Sequence, residues 1–94
     1  MIVVLAQEVN VTLSEISDFI DTINTEGAGR RWVTKLVDHL YDYALPNVSY
    51  ALCNHQNLAS LGLSCITYND WVIAFKITDD ALVVEKIVRG AILA

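Results

Sequence analysis

Lys76, Glu85 and Arg89 are the residues whose types and spacing come nearest to an active site. Joining the segments on either side of Asp79-Asp80 as a hairpin, with Ile77 opposite Leu82, puts all three on one sheet face. There an arginine grips a phosphate through two parallel N–H donors, while a nearby carboxylate takes the proton of a ribose hydroxyl. The plainer reading is a cross-strand charge pattern that keeps the face hydrated, each exposed pair contributing roughly a few tenths of a kcal/mol.

Arg30 and Arg31, with Lys35 one turn on, form the only basic cluster. They open a predicted helix, where the macrodipole disfavours cations, so either a binding role or local compensation by Glu26 and Asp38 holds them there. Tyr41 and Tyr43 flank the apolar stripe of the same helix and are candidates for partner contact, since tyrosine brings large area at modest entropic cost. Cys53-Asn54-His55 invites a nucleophile or zinc reading. No second pair completes a ligand set, and His39 is placed on the polar side of its helix. Gly27-Ala28-Gly29 lies between two helices, without the preceding strand that a dinucleotide loop needs. Neither a metal nor a cofactor is expected.

The chain has 94 residues, enough for a single domain over 1–94. Hydrophobic residues make up 54% of it and charged residues 18%, which leaves apolar surface for a partner, including a second copy in a homodimer. Eleven acidic against six basic side chains give a net charge of −5, the wrong sign for general attraction to nucleic acid. Met1 to Ala6 lacks the positive segment of a secretory signal, and no run approaches the roughly 20 apolar residues of a membrane span. The expectation is a cytoplasmic protein with Cys53 and Cys65 reduced, Cys65 serving as a small buried hydrophobe.

These side chains need elements to place them. Ile2 to Leu5 reads as a short strand buried on both faces. Thr12-Leu13-Ser14-Glu15 reads as a capping box, followed by Leu13, Ile16, Phe19, Ile20 and Ile23 at helical spacing as far as Asn24. After Thr25–Gly29, Val33, Leu36, Val37, Leu40 and Ala44 mark a second helix that Pro46 stops. So short a joint makes the helices an antiparallel αα-hairpin. Leu63–Tyr68, Trp71–Ile77 and Leu82–Val88 are rich in β-branched and aromatic residues, with tight turns at Asn69-Asp70 and Asp79-Asp80. Residues 47–60 read as loop, alone or around a short strand at Val48–Leu52.

The fold class is therefore α+β: a strand, an αα-hairpin and an antiparallel three-stranded meander, with the helices packed on one sheet face. The helix-facing side takes Trp71, Ile73, Phe75, Ile77, Leu82, Val84, Lys86 and Val88. The other takes Val72, Ala74, Lys76, Val83, Glu85, Ile87 and Arg89, and is the expected working surface.

This layout resembles that of the RelE/ParE toxin superfamily. Ile16-Ser17-Asp18-Phe19-Ile20 is similar to the family's first helix, and Ala28-Gly29-Arg30-Arg31-Trp32-Val33 to the opening of its second. Trp71–Ile77, Asp79-Asp80 and Val83–Gly90 resemble its terminal hairpin. The resemblance covers nearly the whole chain and implies a toxin of a type II toxin–antitoxin pair, of the plasmid-stabilisation kind, neutralised by a small antitoxin. RelE-like members cut messenger RNA in the ribosome with basic residues on the open sheet face. ParE-like members poison DNA gyrase and need no such apparatus. Here Leu63-Ser64-Cys65 stands where the family often has an arginine, and Gly90-Ala91-Ile92-Leu93-Ala94 offers no side chain that exchanges a proton or holds a phosphate. These departures favour a toxin that works by binding. The alternatives are an endoribonuclease resting on Arg89, Lys76 and Glu85, and a non-toxic interaction module of the same fold.

Overall fold

The computed structural model describes residues 1–90. Val9 and Leu13 continue the apolar helical spacing backwards from Ile16 and Ile20, and both are buried. The first helix, α1, accordingly spans Gln7–Ile23, after a strand β1 at Ile2–Leu5. Thr12 is thus inside the helix, not at its cap: its hydroxyl donates to the Glu8 carbonyl at 3.0 Å. The Asn24 amide donates to the Ile20 carbonyl and closes the last turn.

The second helix, α2, covers Ala28–Tyr41 and ends well before Pro46. Its first turn is satisfied from α1, because the Gly29 amide donates to Asp21 Oδ1 at 2.8 Å. Gly29 also lets the two helices approach closely, since a Cβ there would run into the Ser17 carbonyl.

Three strands complete the sheet: β2 at Ser64–Tyr68, β3 at Trp71–Ile77 and β4 at Ala81–Arg89. They form an antiparallel meander, and β1 adds parallel to β4, giving the order β1-β4-β3-β2. The helical hairpin supplies the long crossover that parallel pairing requires. Asn69, with φ of 53°, makes the two-residue turn between β2 and β3, asparagine being among the side chains that tolerate the left-handed region. As an edge strand, β1 is not buried on both faces: Val3 and Leu5 turn into the core, whereas Ile2 is 58% exposed and Val4 39%.

The principal core lies between helices and sheet, built on Leu13, Leu36, Leu40, Ile73, Phe75 and Leu82. Ile77 does pair with Leu82, but a β-bulge between Ala74 and Phe75 shifts the register beyond it. Phe75 pairs with Val84 and Ala74 with Lys86, so Glu85 is the extra residue. Past Glu85 the alternation of β4 inverts. Ile87 and Arg89, opposite Ile73 and Trp71, turn to the helix side; Val88, opposite Val72, turns away, and Lys86, opposite Ala74, starts from that face but reaches back to Glu8 of α1. The expected shared face for Lys76, Glu85 and Arg89 fails at this bulge.

The second face is only partly open. A smaller core of Cys53, Leu58, Leu63, Val72 and Ala74 forms where residues 53–63, the later part of the connection between α2 and β2, fold across it. Val48–Leu52 is not a strand, and a short helix α3 at Gln56–Ala59 lies within this cover. Cys53 and Cys65 are bonded to each other, not free, with a sequence separation of 12. Burying Leu58 and Leu63 contributes roughly 2 kcal/mol each. A disulfide closing a loop of this size contributes about 3 kcal/mol, so it matches the apolar packing of the cover in scale.

Candidate functional site

The C-terminal half of α1 overhangs the sheet. Leu13 is buried, Ile16 and Ile20 are half-buried, while Phe19 is 58% and Ile23 63% exposed. Between this overhang, Trp32 of α2 and the β2–β3 turn runs an open groove of about 550 Å³. Its floor is apolar, from Ile16, Ile20, Trp32 and Trp71, and Phe19 and Ile23 form one wall. Its polar lining comes from Thr12 and Glu15 on α1, Asn69 and Asp70 in the turn and Arg89 at the end of β4.

Arg89 reaches this groove because the bulge turns it to the helix side. Its guanidinium carbon lies 5.7 Å from the centroid of the Trp71 ring, a cation–π stack at the groove's end. Lys76 lies on the other side of the sheet, five positions along β3 from Trp71, or roughly 17 Å. There its ammonium meets Glu85 Oε1 at 3.1 Å. The three residues of the expected catalytic set therefore do not meet, and no phosphate can touch Arg89 and Lys76 together. Lys86, displaced from the expected core face, ends 3.3 Å from Glu8 in the first turn of α1.

Arg30, Arg31 and Lys35 are exposed on α2. Arg31 donates to Thr25 Oγ1 at 3.5 Å, and among the described residues no ion pair joins the three to Glu26 or Asp38. Tyr41 is exposed, whereas Tyr43 is half-buried between His39 and Tyr50, its carbonyl accepting the Tyr50 hydroxyl at 3.0 Å. His39 is not on an open polar face, for its ring lies 5.5 Å from those of both Tyr43 and Tyr68. The Cys53-Asn54-His55 reading as a nucleophile fails with the disulfide, which leaves no thiol at Cys53. No group of three or more histidine, cysteine or acidic side chains suited to a metal occurs among the described residues. Residues 91–94, part of the stretch read as lacking acid–base side chains, lie outside the described residues.

What this geometry can do is hold an apolar segment of another molecule. Protein clefts of this size, mostly apolar with a few separated polar groups, are suited to binding. The chain matches no protein-family model, and neither a curated protein nor a solved structure is significantly similar to it. The weight therefore falls on the groove itself. Phe19 and Ile23, placed by their spacing on the apolar side of α1, are exposed where they line the groove. Phe19 is about 120° around the helix from Leu13 at 100° per residue, which puts it at the rim of the apolar stripe. Ile23 occupies the last turn. No helix among the described residues is long and apolar enough to cross a membrane.

Proposed function

We propose that this chain is the toxin-like component of a type II toxin–antitoxin pair and acts by gripping macromolecules, with a small antitoxin as its constitutive partner. The observation that carries this reading is the groove at Phe19, Ile23, Trp32 and Trp71, an apolar surface on a chain whose principal core is already filled. Apolar surface left open in a small domain marks an interaction site. The element order, strand, helical hairpin and meander, supports the same reading, because it is the layout that the RelE/ParE resemblance implies.

Within this reading a ParE-like action on a protein target such as DNA gyrase is favoured over ribosome-dependent cleavage of messenger RNA. Cleavage needs a phosphate clamp and a base within one hydrogen-bonded site, and Arg89 is on the opposite side of the sheet from Lys76 and Glu85. The site of action would be the cytoplasm.

The test is expression from a tightly controlled promoter, with growth, transcript ends and plasmid supercoiling as readouts. Growth arrest with altered supercoiling and intact transcripts is the expected result. Cleaved transcripts would overturn the binding mechanism. Unimpaired growth would leave a non-toxic interaction module. Co-expression of a short neighbouring reading frame should restore growth where it encodes the antitoxin.

A further inference from the structure

The disulfide sits where a covalent bond governs access to part of the sheet. Cys65 belongs to the edge strand β2 and pairs with Ala74, so its side chain shares the second face with Ala74 and Val72. Cys53 lies at the start of the cover that crosses this face. Between α2 and β2 the only regular element of that cover is the four-residue α3, far below the length at which a helix holds itself together in water. Two leucines, Leu58 and Leu63, anchor the cover, helped by the Cys53 amide on the Leu63 carbonyl at 2.9 Å and the Ser64 hydroxyl on the Tyr50 carbonyl at 3.2 Å. Beneath it Val72 is 7% and Ala74 0% exposed.

The bond is also reachable. Cys53 is buried but Cys65 only half so, and a cavity of about 390 Å³ is lined by both cysteines together with His55 and Thr67. A small thiol fits such a space.

We propose that the Cys53–Cys65 disulfide is a redox-operated latch: bonded, it holds residues 53–63 over the second face of the sheet, and exchange with a dithiol at Cys65 releases them. The reductant's thiolate attacks Cys65 Sγ, forming a mixed disulfide. The Cys53–Cys65 bond breaks, and its electron pair leaves on Cys53 Sγ, which takes a proton from water. The second thiol of the reductant then loses its proton to water and attacks the reductant's first sulfur in the mixed disulfide, expelling the Cys65 thiolate, which is protonated in turn. The dithiol is oxidised by two electrons to a cyclic disulfide, and the protein gains two thiols. Release uncovers Val72 and Ala74 on the face that already shows Lys76 and Val83, creating an apolar patch that exists only in the reduced chain. Reducing compartments keep cysteine pairs open, so the latch distinguishes them from oxidising ones. This inference does not depend on the toxin reading, since it concerns the opposite side of the sheet.

The test is hydrogen exchange on the full chain, with and without dithiothreitol, alongside titration of free thiols. On reduction, two thiols should appear, and the amides of Cys53, Ala59 and Gly62 should lose at least about tenfold in protection, while those of Ile73 and Leu82 keep theirs. A Cys53→Ser/Cys65→Ser double variant should show the open pattern without any reductant. Four results would overturn the proposal. The isolated chain keeps two free thiols even in oxidised glutathione; the bond, once formed, resists dithiothreitol unless denaturant is present; two thiols appear with protection unchanged; or all amides lose protection together, which makes the bond a staple of the whole fold.

Discussion

The guanidinium carbon of Arg89 stands 5.7 Å from the centroid of the Trp71 ring, and the two residues pair directly across β3 and β4. The contact exists because one extra residue, Glu85, inverts the alternation of β4 between Val84 and Lys86. Without the bulge Arg89 would lie on the other side of the sheet with Lys76. With it, the arginine closes one end of an apolar groove.

Arg89→Ala should therefore act on binding more than on folding. An exposed cation–π contact contributes roughly 0.5–1 kcal/mol, so the urea midpoint should move little. Arginines beside buried aromatics are common hot spots, each worth more than about 1 kcal/mol of association. Titration calorimetry against the proposed antitoxin should show at least about fivefold weaker binding. An unchanged affinity would remove Arg89 from the interface.

Gly29→Ala tests how the two helices are held. The added Cβ would meet the Ser17 carbonyl and hydroxyl of α1, both belonging to a helix that cannot yield without disturbing Val9 and Leu13. Overpacking of this kind costs about 2–3 kcal/mol. Urea unfolding should show that loss, and Ser17→Ala should restore only part of it because the backbone carbonyl remains.

The order of elements was legible from residue types because the helices repeat their apolar residues every three or four positions, and the meander strands are β-branched and aromatic runs set between tight turns. Placing Asp79-Asp80 at the turn also gave the observed Ile77–Leu82 register, although that turn lacks the glycine that pins a hairpin most firmly. The bulge was not. Bulges are most readily signalled by glycine or proline, and Val84-Glu85-Lys86 contains neither, so the faces of Arg89 and Lys86 came out exchanged. The start of α1 was misplaced for a related reason: Thr12 and Glu15 have the spacing of a capping box, yet inside a helix a threonine hydroxyl is satisfied by the carbonyl four residues back. The disulfide could not be read from two cysteines alone, because their meeting depends on an irregular cover with no periodicity to betray its path.

Lys76 and Glu85 offer a contrast with the groove. Their ion pair is 3.1 Å long, with the lysine side chain 51% exposed and the carboxylate's 33%. A double-mutant cycle with Lys76→Gln and Glu85→Gln should return a coupling of roughly 0.2–1 kcal/mol that shrinks in high salt. Neither change should alter affinity for the proposed antitoxin, because the pair lies on the far side of the sheet from Arg89. A large effect of either on transcript cleavage would reinstate the nuclease reading.

Phe19 and Ile23 decide whether the groove is used. Both are more than half exposed, so Phe19→Asp and Ile23→Asp remove little buried area and should shift unfolding by no more than about 0.5 kcal/mol. Leu36→Ala, in contrast, opens a cavity in the principal core and should cost about 2–5 kcal/mol. The three variants separate folding from binding in one growth assay with a parallel pull-down of the proposed antitoxin. The aspartates should abolish capture in chains that stay folded, because a charge is carried into the apolar contact without a partner. The leucine variant should lose capture only in proportion to the fraction unfolded. Full capture by both aspartate variants would move the antitoxin contact elsewhere, with the exposed surface of α2 around Arg30, Arg31, Lys35 and Tyr41 the next to be substituted.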